Sequence, residues 1–318
     1  MTDHTSQPLE VLVLAGGLSH EREVSIRSGR RVAESLRAAG AAATLRDLDA
    51  GLLDYLDSAR PDVVWPLLHG STGEDGSVRD LLSLADVAFV GSGSAGARST
   101  WFKPVAKSLM ERAGARTPAS VTLPQSLFRQ VGATAVLERV LDRLPLPLVV
   151  KPAAGGSALG VTVVTDPALL PQAMVHCFSY GETALIERAV HGTEVAVSVV
   201  DTGDGPQALP AVEIVTDGPY DYDARYNAGR TEYFAPARLA PAQLDAAHRM
   251  AVLAHEQLGL AQLSRTDLIV DADGTPWYLE SNVAPGMTET SLFPQAVQAA
   301  DLSMDALYHD LALAGARR

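Results

Sequence analysis

In the first hundred residues, short apolar runs alternate with helical patterns, and this alternation limits the fold more than any other feature. The apolar runs lie at 10–14, 43–47, 62–68 and 87–90. A helical pattern follows the first run from about 19 to 39, where Ser19 can cap its start. Strands that alternate with helices form βαβ units on a parallel sheet. The sequence therefore predicts a doubly wound parallel-sheet domain over residues 1–102, in a chain of α/β and α+β class.

Charge and composition exclude several classes of protein. The chain has 318 residues, with 25 Lys and Arg against 38 Asp and Glu, and a net charge of −13. Because nucleic acids and anionic membranes are polyanions, we expect neither as a partner. Cys177 is the only cysteine, so a disulfide framework is excluded. With no secretory leader and no run of about 18 apolar residues, we expect a cytoplasmic protein.

The last predicted hairpin carries the strongest chemical pattern. Arg265 and Asp267 alternate on one strand, and Glu280 and Asn282 alternate on its partner. Alternate residues of a strand share a face, so three oxygen-bearing side chains come together beside an arginine. Such a cluster suits Mg²⁺. The alternative is a solvated polar face with one salt bridge, although the turn Pro285–Thr288 follows directly.

Three further segments offer groups for a phosphate or small polar ligand. Lys151 ends a strand before the glycine-rich loop 153–160, which could cradle phosphate or be only a tight turn. The polar loop 69–76, which begins with His69, follows a strand where open α/β sheets bind ligands. Glu187 and Glu194 flank a strand end and could bind a nucleotide, or be two exposed glutamates.

Lysine is rare in this chain, and its positions are informative. Only Lys103, Lys107 and Lys151 occur, while the other 22 basic residues are arginine. A lysine retained in such a chain is either chance or a place where a flexible point charge is needed.

Taken in order, these motifs resemble the D-alanine–D-alanine ligases of the ATP-grasp superfamily. The resemblance extends from Val11 to about Leu311. The matching stretches are GGLSHEREVSIRSG (16–29), PLLHGSTGEDG (66–76), LVVKP…GGSALG (148–160), LIER…GTEVAV (185–197), YDYDARYNAGRTEY (220–233), SRTDL (264–268) and LESNVAPGMTETSLFP (279–294).

The resemblance implies a fold and a reaction. The architecture would have three domains: an N-terminal one at 1–102 that binds the first substrate, a central ATP-grasp subdomain at 103–194, and a C-terminal subdomain at 195–318. ATP would phosphorylate the carboxylate of one D-alanine, and the amine of a second would attack the acyl phosphate. The product would be D-alanyl-D-alanine for peptidoglycan synthesis. Two Mg²⁺ ions are implied, with Mn²⁺ as an alternative, and a homodimer is common in the family.

The resemblance also implies residue roles. Lys103 and Lys151 match lysines that bind the nucleotide phosphates, Gly156 and Ser157 belong to the phosphate loop, and Glu187 and Glu194 match adenine and ribose contacts. Asp267, Glu280 and Asn282 match the metal ligands, and Arg265 with the Gly286 amide matches an oxyanion-stabilising pair. On the substrate side, the matches are Glu21 and His69 for the first D-alanine, Ser291 and Arg225 for carboxylate binding, and Tyr226 in a triad with Glu21 and Ser157.

One departure keeps alternatives open. Arg225 stands where the family often has lysine, directly before Tyr226 and within a loop predicted to be mobile over 217–233. A dipeptide or depsipeptide synthetase with another acceptor is therefore one alternative. A nucleotide-binding paralogue without catalysis is the other, although the intact set of Arg265, Asp267, Glu280 and Asn282 argues against it.

Overall fold

The computed structural model describes residues 7–216 and 231–317, and its strands form three sheets. The strands are β1 Glu10–Leu14, β2 Ala42–Arg46, β3 Val63–Pro66, β4 Ser120–Pro124, β5 Leu148–Pro152, β6 Thr162–Val164, β7 Thr183–Arg188, β8 Thr193–Val200, β9 Gln207–Ala208, β10 Val212–Thr216, β11 Thr231–Phe234, β12 Leu263–Val270 and β13 Pro276–Asn282.

Helices of the described residues connect and cover these sheets. They are α1 Arg22–Ala38, α2 Leu52–Ala59, α3 Ser71–Glu74, α4 Ser77–Leu84, α5 Ser94–Trp101, α6 Lys103–Arg112, α7 Gln125–Val131, α8 Ala133–Arg143, α9 Leu170–Phe178, α10 Pro241–Gln257, α11 Leu292–Ala299 and α12 Met304–Ala316, with a 3-10 turn at Pro167–Leu169. Within the described ranges, none of these helices combines the length and the apolar character needed to span a membrane.

The first sheet is parallel, in the order β2-β1-β3, as the alternation predicts. Its faces belong to different cores. Val11 and Val13 pack in a core with α1 and α12, while Leu12 and Leu14 pack in one with α2 and α4. Because both faces are buried, β1 is apolar at nearly every position instead of alternating. The α/β expectation is confirmed.

Two local predictions for this region are wrong. The run 87–90 forms no strand; it makes only an isolated parallel bridge between Val64 and Phe89. Ser19 does not cap α1, which begins at Arg22, and its hydroxyl instead accepts a hydrogen bond from the Glu21 amide at 3.2 Å. The chain turns tightly between β1 and α1, and the serine stabilises that turn.

The other two sheets are antiparallel. One has the order β4-β7-β5-β6, so the glycine-rich loop 153–160 joins β5 to its antiparallel neighbour β6, as predicted. The other runs β11-β10-β8-β12-β13, with β9 paired to β8. Most of the loop predicted at 217–233 lies outside the described residues, and its end, from Thr231, is part of β11.

The last helix returns to the first sheet. Tyr308 of α12 packs edge-to-face on Trp65 of β3, with ring centroids 5.4 Å apart, and both side chains are buried. Aromatic pairs in this geometry add stability beyond the area they bury. This packing holds α12 against the first sheet. The boundaries at 102/103 and 194/195 stay a prediction.

Candidate active site

Two adjoining cavities lie where the three sheets meet. The larger has a volume of about 380 Å³, within the range of small-molecule sites, and the smaller about 90 Å³. Lys103, Gly155, Gly156 and Glu280 line both cavities. A group bound at this junction is therefore within reach of ligands in either cavity.

The residues predicted for the site line these cavities, with two exceptions. The larger cavity is lined by Lys103, Lys151, Gly156, Glu187, Glu194, Asp267 and Glu280. The smaller is lined by Glu21, His69, Lys103, Gly156, Ser157, Arg265, Glu280, Asn282, Gly286 and Ser291. The exceptions, Arg225 and Tyr226, lie outside the described residues.

The hairpin of β12 and β13 carries the carboxylates. Arg265 is opposite Asn282 and Asp267 is opposite Glu280, and the pairing shifts by one residue after Asp267. The guanidinium of Arg265 donates to both carboxylate oxygens of Asp267, at 2.7 and 2.9 Å. Both side chains are buried, so their attraction is little screened by solvent, and the two parallel bonds fix the orientation of the carboxylate. The hairpin thus presents one cation and two carboxylates at the cavity junction.

The oxygen donors on this hairpin suit a hard divalent cation. Asp267 and Glu280 are opposite each other, and Asn282 lies two residues further along β13, where its amide oxygen accepts a hydrogen bond from the Ala284 amide at 2.7 Å. Mg²⁺ prefers such oxygen ligands and typically takes one or two carboxylates. Within the described ranges, no three His, Cys, Asp or Glu side chains group together as a metal site. The candidate set therefore depends on the amide of Asn282 as its third donor.

The turn after β13 shapes one wall of the smaller cavity. A Cβ atom on Gly286 would lie 2.8 Å from Ser291 Oγ, so only glycine fits there without displacement. The hydroxyl of Ser291 accepts a hydrogen bond from the Thr288 amide at 3.0 Å, and the Met287 amide donates to Ser28 Oγ of α1 at 3.0 Å. These bonds hold the turn against the first sheet's helix.

Lys103 ties the glycine-rich loop to the hairpin. Its backbone amide donates to the carbonyl of Ala153 at 2.8 Å, and its ammonium donates to the carbonyl of Gly155 at 2.5 Å. The same ammonium lies 3.3 Å from a carboxylate oxygen of Glu280. One buried lysine at the start of α6 therefore links a candidate phosphate loop to a candidate metal ligand.

Glu187 lies between two lysines. Its carboxylate oxygens are 2.5 Å from Lys151 Nζ and 2.6 Å from Lys107 Nζ. Burial alone would raise the pKa of Glu187, but the two ammonium groups outweigh it and lower the pKa. Burial likewise disfavours charge on Lys151, yet Glu187 and Glu280 raise its pKa. The larger cavity is thus walled by groups that stay ionised.

Glu21 and Ser157 connect segments that are 136 residues apart. The Ser157 hydroxyl donates a short hydrogen bond to the Glu21 carboxylate, and both side chains are buried. Ser157 and Ala158 have φ of 51° and 55°, in the left-handed region that few residues other than glycine adopt. Such backbone strain clusters at functional sites. The bond closes the loop 153–160 over the smaller cavity.

His69 and Glu74 both line the smaller cavity, and the sequence predicts only His69 as a site residue. Burial lowers the pKa of His69, and its Nε2 has no hydrogen-bond partner among the described residues. Burial, aided by the negative charge of Glu21, raises the pKa of the Glu74 carboxyl to about 8. Glu74 lies in the loop 69–76, which the sequence predicts to bind ligands, and this position is the sequence signal for its role. The burial that raises its pKa depends on tertiary packing.

Arg79 was missed entirely, because nothing in the sequence distinguishes it from a surface arginine. Its side chain is fully buried and donates to the carbonyls of Gly73 and Ser92. Burial lowers its pKa to about 10. The guanidinium holds the loop that carries Glu74 against the segment before α5.

Comparison with known proteins agrees with this architecture. Residues 109–312 match the family model for the D-ala D-ala ligase C-terminus. The chain is 36% identical to the D-alanine–D-alanine ligase of Pelotomaculum thermopropionicum, with 95% of each chain covered. It is 41% identical to that of Anaeromyxobacter sp. strain Fw109-5, with 90% of each covered.

A solved structure is similar over nearly the whole chain. The D-alanine–D-alanine ligase of Bacillus anthracis complexed with ATP superposes with a TM-score of 0.81 and 26% identity, covering 98% of both chains. Sequence and structural similarity therefore extend across the sheets that enclose the two cavities. This chain belongs to the D-alanine–D-alanine ligase family, with the ATP-grasp fold.

Proposed function

We propose that this protein joins two D-alanine molecules to form D-alanyl-D-alanine, a building block of peptidoglycan, with cleavage of ATP to ADP and phosphate. The observation that carries the proposal is the junction of the two cavities at Lys103 and Glu280. A nucleotide in the larger cavity would direct its terminal phosphate towards a carboxylate in the smaller one. Membership of the family supports the same reaction.

The larger cavity is proposed to bind ATP. Lys103 and Lys151 supply cations for the phosphates, Gly156 and Ser157 supply backbone amides, and Glu187 and Glu194 supply acceptors for the adenine and ribose. Asp267, Glu280 and Asn282 would hold two Mg²⁺ ions, or Mn²⁺, which neutralise the charge on the phosphates when bound. Glu280 would then bind a metal ion instead of the Lys103 ammonium. Lys103 would be available to bind the phosphates of the nucleotide.

The smaller cavity is proposed to bind the two amino acids. Glu21 would hold the ammonium of the first D-alanine, close to His69, and Ser291 would bind the carboxylate of the second, together with Arg225. Arg265 and the Gly286 amide would stabilise the negative oxygen that develops during attack on the acyl phosphate. The hydrogen bond from Ser157 to Glu21 would exclude water, which otherwise hydrolyses such an intermediate. Tyr226 would complete this triad.

The test is direct. Purified protein is incubated with Mg²⁺, ATP and D-alanine, and phosphate release and dipeptide formation are followed by coupled assay and mass spectrometry. Phosphate and dipeptide in equal amounts are expected. Phosphate without dipeptide would contradict the acceptor assignment and indicate a different second substrate, and ATP binding without either product would contradict catalysis.

The metal assignment has its own test. In the variant Glu280→Gln, the carboxylate becomes a neutral amide of the same size, so dipeptide formation should fall at least about 100-fold. Unchanged output at all Mg²⁺ concentrations would refute the assignment. Glu182→Gln, at an exposed glutamate that lines neither cavity, serves as the control.

We also propose that the chain acts in the cytoplasm, where ATP is available, and as a homodimer, with the three domains 1–102, 103–194 and 195–318. Light scattering on the purified protein tests the dimer. Limited proteolysis followed by mass spectrometry tests the boundaries, since linkers between domains are cleaved first.

A further inference from the structure

The third lysine of the chain has no role in the proposed reaction. Lys107 lies one turn after Lys103 on α6, and its side chain is 3% exposed. Residues four apart on a helix share a face, so both lysines point towards the same wall. Lys107 is not among the described residues that line the two cavities. Its ammonium is buried behind the cavity wall instead.

The Lys107 ammonium contacts two residues that line the larger cavity, from the side that faces away from the cavity. It lies 2.6 Å from Glu187 Oε2 and donates to the carbonyl of Pro118 at 2.8 Å. Glu187 and Pro118 both line the larger cavity, yet they belong to β7 and to the segment before β4. Lys107 thus connects two segments that would contact the same ligand.

Burying an ammonium group costs free energy, so we expect Lys107 to have a role beyond packing. Burial lowers the pKa of Lys107, and the attraction of Glu187 only partly offsets that effect. A carboxylate needs one counter-ion, and Glu187 already has Lys151 at 2.5 Å. Lys107 is the second counter-ion of Glu187, while Lys151 lines the cavity and is also attracted by Glu280, so Lys151 is the ammonium that can turn towards a bound polyanion.

We propose that Lys107 is a positioning residue for the nucleotide: it is the permanent counter-ion of Glu187, so that Lys151 can leave that carboxylate to bind the phosphates. Without Lys107, any movement of Lys151 towards phosphate would leave the buried carboxylate of Glu187 without a counter-ion. With Lys107 in place, Glu187 stays ionised and oriented whichever partner Lys151 takes. The inference rests on the proposed function only in assigning ATP to the larger cavity.

The first experiment replaces the ammonium with an apolar group of similar length. In Lys107→Met, affinity for a non-hydrolysable ATP analogue with Mg²⁺, measured by calorimetry, should fall about tenfold or more, which corresponds to about 1.4 kcal/mol. The KM for D-alanine should stay within about twofold of wild type. Equal losses in both parameters, or unchanged affinity for the analogue, would overturn the proposal.

A double-mutant cycle separates positioning from general damage to the fold. Glu187→Gln removes the charge that Lys107 compensates, so adding Lys107→Met to it should weaken nucleotide binding by much less than tenfold. Independent, multiplicative losses would show that Lys107 does not act through Glu187. Should the single Met variant fail to fold, Lys107→Gln, which keeps a polar side chain and removes the charge, takes its place in the cycle with Glu187→Gln.

A matched control removes a different buried cation. Arg79 also lines neither cavity and also donates to backbone carbonyls, but it holds the loop of Glu74. Arg79→Met should leave affinity for the ATP analogue within about twofold of wild type, and a loss equal to that of Lys107→Met would overturn the proposal. Since binding is measured without ligation, failure to form dipeptide would refute the proposed function and leave this result standing.

Discussion

Arg265 and Asp267, two residues apart on β12, form a two-pronged ion pair, with Arg265 Nε 2.7 Å and Nη2 2.9 Å from the two carboxylate oxygens. The planar guanidinium is what allows both bonds at once. The pair orients an expected oxyanion-binding group and an expected metal ligand against each other. Each therefore depends on the other for its position.

The variant Arg265→Lys tests this dependence. Lysine keeps the positive charge but cannot make two parallel bonds, so both the oxyanion contact and the position of Asp267 are lost. We expect kcat for dipeptide formation to fall by about 10²–10³-fold. Measured as phosphate release with D-alanine, a fall of less than about threefold would argue against the assignment.

Arg238 offers a control of matched geometry. It makes the same two-pronged pair with Glu213, at 3.0 and 2.7 Å, and lines neither cavity. Arg238→Lys is expected to keep kcat within about twofold of wild type. A large loss in this variant would mean that the effect at Arg265 reflects general damage to the sheet.

The bond from Ser157 to Glu21 predicts a change in substrate affinity. Ser157→Ala removes the donor, so the glycine-rich loop loses its anchor on the Glu21 carboxylate. The KM for the first D-alanine should rise roughly tenfold, since a hydrogen bond to a charged group contributes about 1.5–3 kcal/mol. Initial-rate kinetics over a range of D-alanine concentrations measure it.

Ser179→Ala is the matching control for that variant. Ser179 Oγ donates only to the Val175 carbonyl within its own helix region, at 3.1 Å. Its kinetics should equal those of wild type. An unchanged KM in Ser157→Ala would mean that the loop is held closed by other contacts.

Glu74 predicts how stability depends on pH. Its pKa is raised from 4.5 to about 8 by burial, so the folded state keeps the proton that the unfolded state releases. The stabilisation from that proton is complete below about pH 4.5 and is lost as the pH rises through about 8. Relative to Glu74→Gln, wild type should lose a few kcal/mol of unfolding free energy across this interval, at about 1.4 kcal/mol per pKa unit.

Urea unfolding of both proteins between pH 5 and pH 9 measures this difference, and titrating groups that do not interact with Glu74 cancel in the comparison. The difference should level off above the raised pKa. Curves that stay parallel from acid to alkaline pH would mean that Glu74 is ionised in the folded protein.

Gly286 predicts a steric effect at the site. In Gly286→Ala the new methyl would lie 2.8 Å from Ser291 Oγ, so this hydroxyl must rotate away and lose its bonds to Thr288, and the turn that carries the Gly286 amide loses its anchor. Dipeptide formation should fall at least about tenfold, because small displacements of a positioned donor are costly in catalysis. Gly93→Ala is the control, since a Cβ there meets nothing within 4 Å. Equal activity of the two variants would contradict the role of the Gly286 amide.

The features read correctly from the sequence are those that depend on local periodicity. Alternation along a strand is enough to place Arg265 and Asp267 on one face, and the tight turn at 272–274 pairs them with Asn282 and Glu280. The apolar runs likewise predict the parallel sheet, because a strand covered on both faces must be apolar throughout. The run 87–90 does not form a strand, because it pairs with β3 through a single bridge only.

The contacts between distant segments are determined by the tertiary structure alone. Lys107 meets Glu187 across 80 residues, and Ser157 meets Glu21 across 136. The raised pKa of Glu74 and the burial of Arg79 are also invisible in the sequence. The physical reason is that periodicity determines which face a side chain occupies, whereas its neighbours, and the solvent it loses, are determined by how the three sheets pack.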